Sequence, residues 1–131
     1  MKSVLRTFCL LSALSATPAF AASLSVQDQV SLQAAMQQYI DSHAVKDALL
    51  QIDASTGNIN EYVVTKAHPK MMTWGSNAIL CSDFVDQSGK TVMGNFYVAR
   101  TDNGFVVFQV SFGMDPVLDK LMKDGKAVMA N

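Results

Sequence analysis

The side chains of this chain best equipped for chemistry are His68, Cys81, Asp83, Tyr39 and Tyr97. His68 stands in Ala67-His68-Pro69, where the proline restrains it to an extended conformation. As a general base it would need an orienting partner within hydrogen-bond reach, and the fold would have to supply Asp83 or Glu61. The plainer reading is a loop histidine bonded to backbone. Cys81 lies in Ile79-Leu80-Cys81-Ser82-Asp83-Phe84, and strand alternation places it on one face with Ile79, Asp83 and Val85. A neighbouring carboxylate raises a thiol's pKa and discourages the thiolate, so Cys81 reads as a buried, inert cysteine rather than a nucleophile. No Ser-His-Asp arrangement and no glycine-rich phosphate loop is present. The low-count catalytic set is therefore His68 or Asp83 as acid or base, with Tyr39 or Tyr97 as hydrogen-bond donor.

Metal and cofactor signals are weaker still. His43 and His68 show no ligand spacing, and His43 suits the C-terminal end of a helix, where its protonated form complements the dipole. Met71 and Met72 beside Trp74 raise the question of Cu(I), which thioethers favour, but they lack a repeated ligand spacing and read as core filling or a soft binding surface. The sequence calls for no metal and no cofactor.

The elements that must hold these residues are legible from periodicity. Ser25 followed by Asp28 reads as a helix start, and Leu32, Ala35, Met36, Tyr39, Ile40 and His43 recur at three- and four-residue spacing along a helix from Val26 to His43. From Asp47 the period changes to two. About five strands are expected: Ala48–Asp53, Ile59–Thr65, Ala78–Asp86, Thr91–Arg100 and Phe105–Phe112, with a short extra strand at Lys70–Trp74. Short loops, among them Asp102-Asn103-Gly104, make the neighbours antiparallel. Val106, Phe108, Val110 and Phe112 alternate as a core face of the last strand, with Phe105, Val107, Gln109 and Ser111 opposite. Asp115-Pro116 opens a second helix that Gly125 ends. The fold class is α+β: a long N-terminal helix packed on an antiparallel meander, followed by a short C-terminal helix.

Lys2 and Arg6 precede an apolar run from Phe8 to Leu14, and Ala19-Phe20-Ala21 follows Pro18, the layout of a cleavable export signal. Residues 1–21 are thus expected to be removed, leaving 22–131 as a single domain in the periplasm or secreted. The apolar run is too short to span a bilayer, so no membrane anchor is expected after cleavage. Of the two cysteines, Cys9 departs with the signal, and Cys81 alone cannot form an internal disulfide. Loss of Lys2 and Arg6 makes the mature chain more acidic than the formal charge of −1 of the whole, and no basic patch suits nucleic acid.

One long helix followed by an antiparallel meander resembles the cystatin-like class, which includes the nuclear-transport-factor-like cone folds. The segment from Leu49 to Ile59 looks like the strand-turn-strand of PepSY-type secreted domains. Cystatins block cysteine proteases with a Gln-x-Val-x-Gly loop in the first hairpin; here Gln109-Val110-Ser111-Phe112-Gly113 carries Ser111 at the valine position and follows the last long strand, so protease inhibition does not carry over. The chain also resembles small exported proteins of Gram-negative bacteria, which implies a periplasmic location.

Two functions are set against each other. The first is a non-enzymatic binding or accessory module, with a protein or small molecule as partner and a dimer left open. The second is a small cone-shaped enzyme or ligand-binding domain with a pocket between helix and sheet. Intact-mass analysis of the exported protein should place its N-terminus at Ala22 or Ser23. Retention of Met1, or a lipid mass on Cys9, would contradict the signal reading.

Overall fold

The computed structural model describes residues 23–130, so the signal-peptide reading of residues 1–21 lies outside the described residues. The first helix, α1 (Val26–His43), starts where the sequence places it: Ser25 is extended and its hydroxyl accepts the Asp28 N–H at 3.0 Å. Leu32, Met36 and Ile40 form its buried stripe. The chain then reverses within two residues, Lys46 and Asp47, both at positive φ (51° and 69°). Val45 and Ala48 bridge across this turn.

Five strands follow as an antiparallel meander: β1 (Ala48–Ile52), β2 (Ile59–Trp74), β3 (Asn77–Asp86), β4 (Thr91–Thr101) and β5 (Gly104–Phe112). The second helix, α2 (Pro116–Lys123), and a short β6 (Ala127–Met129) complete the chain. The α+β architecture is therefore the one the periodicity implies, with two differences. The expected strands Ile59–Thr65 and Lys70–Trp74 are one 16-residue strand, interrupted by register shifts between Val64 and Lys66 and between Ala67 and Met71. Pro69 falls inside the second irregularity, where its missing N–H breaks no ladder bond. The other difference is β6, which pairs with the second half of β2 (Met72 with Met129) while β1 pairs with the first half. Three residues between Gly125 and the terminus carry too little pattern to be recognised as a strand.

The inner face of the sheet packs on α1. Leu32, Met36 and Ile40 meet Leu49, Tyr62, Met71, Leu80, Phe84, Phe96, Val98 and Val107 in one core. A smaller cluster lies on the outer face, where Leu118 and Leu121 of α2 and Ala127 of β6 cover Ile79 and Tyr97. The sheet is strongly curled around α1. Tyr62 of β2 and Phe112 of β5 stack at 3.9 Å between ring centroids although β3 and β4 lie between their strands. In a flat sheet three strand spacings would hold them about 14 Å apart. Gly94 of β4 makes the curl possible: the Phe84 ring occupies the space where a side chain would stand, and the Phe112 ring packs edge-on to it at 5.0 Å.

The last strand corrects one expectation. Val98 pairs with Val107 but Tyr97 pairs with Gln109, so Phe108 is an inserted bulge residue. One extra residue exchanges the faces. Val107 is therefore in the core, and Val106 and Phe108 are 53% and 52% exposed, whereas Val110 and Phe112 do pack inward.

Gly94→Ala is expected to destabilise the fold by about 1–3 kcal/mol, because the new Cβ would stand 2.5 Å from the fully buried Phe84 ring. Chemical unfolding measures this; an unchanged midpoint would show that the ring has room to move.

Candidate functional site

The reactive side chains are divided between the two sides of the sheet by strand alternation. On β3, Leu80, Ser82 and Phe84 point to α1, and Ile79, Cys81 and Asp83 point outward. His68 leaves β2 in the irregular stretch before Met71 and turns its ring to the same outer side. Its Nε2 lies 3.0 Å from Asp83 Oδ1, with both side chains about a quarter to a third exposed. Its backbone carbonyl faces the other way and accepts from Gln33 Nε2 of α1 at 3.2 Å. Of the two partners open to His68, the fold thus supplies Asp83. Glu61 stands farther along β2, opposite Leu50, with its N–H donating to Gln87.

Beside this pair a hydrogen-bonded row crosses the outer face from β3 to α2. The Cys81 thiol donates to Asn95 Oδ1 at 3.2 Å, and Asn95 Nδ2 donates to Asp115 Oδ2 at 3.2 Å. The Tyr97 hydroxyl donates to the same carboxylate oxygen at 2.7 Å, and the Ser111 hydroxyl donates to it as well. The other oxygen, Oδ1, accepts the Leu118 N–H at 3.0 Å and so caps α2. Burial pushes the Asp115 carboxyl upward, but the bonds from Ser111, Leu118, Tyr97 and Asn95 outweigh it and hold the group below its ordinary range. A carboxylate saturated in this way is a poor proton acceptor. It fastens α2 to the sheet.

Cys81 is half-buried rather than enclosed. Its thiol is pushed up by burial, then by the charges of Asp115 and Asp83, so it stays protonated and acts as a donor. Tyr97 is likewise pushed up, by burial first and then by the Asp115 carboxylate it bonds.

Tyr39 lies on the opposite side of the sheet. Its ring stacks on His43 at 3.9 Å and meets Phe96 edge-on at 6.1 Å. The four candidates therefore resolve into a contacting pair, His68 and Asp83, a tyrosine engaged with Asp115, and a tyrosine on α1 behind the sheet. Between helix and sheet the space is filled by Leu, Phe, Met and Val side chains. Grooves of about 220 and 170 Å³ open at its margin around Tyr39 and His43, and a wider trough of about 370 Å³ lies between Val30, Gln33, Pro69 and Met71. None is lined by His68, Asp83 or Tyr97. Met71 is buried toward α1 and Met72 packs on the outer cluster, so the two thioethers diverge. Among the described residues no group of three His, Cys, Asp or Glu side chains is placed to hold a metal ion.

Sequence reading found Asp115 as a helix cap but missed Asn95 and Ser111. Alternation on β4 does place Asn95 beside Tyr97 on one face; their convergence on Asp115 depends on where α2 lands. No family model, curated protein or solved structure matches the chain.

The Asp115 network sets a pH dependence. Because the folded carboxyl titrates below its ordinary value of 3.8, its stabilisation is fully present above that value and is lost as pH falls through the lower folded one. Asp115→Asn is expected to cost about 1–3 kcal/mol at pH 7, since one amide oxygen replaces a carboxylate that serves four donors. The difference from the native chain should shrink as unfolding is measured at successively lower pH; a constant difference down to acid would assign the loss to packing.

Proposed function

We propose that the protein is an exported binding module without catalysis of its own, acting in the periplasm or outside the cell through the uncovered part of the outer sheet face. One observation carries this reading. The cover given by α2 and β6 stops over Ile79, Tyr97, Met72 and Trp74, and beyond it Leu50, Ile52, Ile59, Val63 and Met93 stand 44–68% exposed. Register sets Ile52 opposite Ile59 and Val63 opposite Val85, while two carboxylates, Glu61 opposite Leu50 and Asp83 opposite Met93, stand among them on the same face. A row of exposed apolar side chains interleaved with two carboxylates is a surface suited to a protein partner. The His68–Asp83 pair stands at its border. A helix laid across a curled antiparallel sheet also supports placing the protein near the cystatin-like class, as a likeness of architecture rather than of activity.

The His68–Asp83 contact keeps a second reading in view, a small enzyme or ligand-binding domain with His68 as base and Asp83 orienting it. The two readings part on substitution. Ile59→Lys should abolish partner capture while His68→Ala leaves it largely intact, and an enzyme would show the reverse pattern in turnover.

A photo-crosslinking residue at Val63 should yield a discrete adduct in cells, lost when Ile59→Lys is added, and the same residue at Gln37 on α1 should yield none. Equal adducts from both positions, or none from Val63, would remove the outer face as the binding surface.

A further inference from the structure

The free edge of β5 is a separate surface from the strip on the outer face. Among the described residues β5 has β4 on one side and no strand on the other. Its backbone groups divide by pairing. Thr101 and Gly104 flank a two-residue turn and form a hydrogen-bonded pair, so alternation turns the N–H and C=O of Phe105 and Val107 away from β4. The Gly113 N–H bonding the Met93 carbonyl at 2.8 Å fixes the same alternation at the far end of the strand. Phe105 and Val107 therefore present four unpaired backbone groups at the edge.

Soluble proteins ordinarily blunt such an edge with lysine, proline or an inward charge. The segment from Gly104 to Phe112 holds no charged residue and no proline. Val106 and Phe108 are half-exposed on its outer side. On its inner side a groove of about 220 Å³ runs between the strand and the α1 flank at Ala35, Gln38 and Ser42, which is also uncharged. Of the nearby charged and titratable groups, His43 Nδ1 contacts the Tyr39 carbonyl at 2.9 Å, and Arg100, over the Phe105 ring, pairs with Asp28 at 3.1 Å, while Asp102 lies at one end only, in the turn before Gly104.

We propose that this edge pairs with the same edge of a second copy of the chain, antiparallel about a two-fold axis at Val106. Charge selects this occupant. A two-fold axis sets the residue on it against its own copy and each residue on one side against its counterpart on the other, so a charge at the axis, or like charges placed symmetrically about it, would repel. The β5 strip and the α1 flank carry none. The opposite edge of the sheet, β1, is bounded by Asp47 and Asp53, which the same operation would set in mutual repulsion. In the dimer Phe105 pairs with Val107 of the second copy and Val107 with its Phe105, which satisfies the four backbone groups these two residues turn to the edge on each chain. Val106 meets its own copy on the outer side, and the bulge at Phe108 ends the ladder.

The experiment is sedimentation of the purified protein and of two substitutions at the axis. The native protein should sediment as a dimer, and Val106→Lys and Val106→Glu should each weaken association by about 100-fold or more through like-charge contact. An equimolar mixture of the two variants should restore a dimer, because Lys then faces Glu. Their folding is checked by an unchanged far-ultraviolet circular dichroism spectrum and a cooperative unfolding transition, since loss of the dimer by itself lowers the midpoint, and amide exchange at Phe105 and Val107 should slow as native protein concentration rises into the dimer range. A native protein that remains monomeric overturns the proposal, including the case in which a separate extended peptide protects those two amides. So does a dimer that survives Val106→Lys. A dimer dissolved by Ile59→Lys and indifferent to Val106 would place the second copy on the outer face instead, which refutes the edge pairing and leaves the binding strip standing.

Discussion

The molecule depends on the close approach of the Phe84 ring to the bare backbone of Gly94. That contact lets neighbouring strands bend toward α1, and the bend brings Tyr62 and Phe112 into stacking contact from strands that a flat sheet would keep far apart. Around this point Leu32, Met36 and Ile40 find a concave surface rather than a plane. A single amphipathic helix can then close the inner face of a five-strand meander, which is how a small chain without an internal disulfide among its described residues gathers one core.

Filling the concavity has a consequence for chemistry. With the inner face occupied largely by apolar side chains, Cys81, Asn95 and Tyr97 of β3 and β4 are turned outward, where with Ser111 of β5 they form a row that ends on Asp115. This row joins the two halves of the outer face: it anchors α2 over one half and leaves the other half bare. The carboxylate at its end is ionised and saturated with donors, the thiol is protonated, and the tyrosine is a donor. The bonds that Asp115 accepts from the sheet and from the first turn of α2 hold that helix against the outer face. The bare half and the uncovered edge of β5 are distinct surfaces, and they differ in kind. One is a strip of side chains suited to a partner's surface, the other a row of backbone groups suited to a strand.

Much of the fold was legible in the sequence wherever the deciding interactions are local. Ser25 and Asp28 mark the start of α1, the pair Asp115-Pro116 marks the start of α2, and Asp102-Asn103-Gly104 marks the β4–β5 hairpin. In each case a few adjacent residues satisfy backbone groups or select a turn within one or two turns of chain. Alternation likewise put Cys81 and Asp83 on one face of β3. The candidate site was legible as a set of residues and not as an arrangement.

Tertiary structure alone decided the rest, and the reason is that each outcome depends on residues far apart in the chain. The bulge at Phe108 arises from how β5 meets β4 across the curled sheet, and it reverses which of Val106 and Val107 is buried. The two halves of β2 are one strand because β3 runs continuously beside both, and β6 exists because α2 returns the chain to the vacant edge of β2. His68 has Asp83 and not Glu61 for a partner because the irregular stretch at Ala67–Met71 rotates it outward over β3. Tyr39 and Tyr97, equivalent as donors in the sequence, stand on opposite sides of the sheet because one belongs to the helix that the curl encloses and the other to the face that α2 covers.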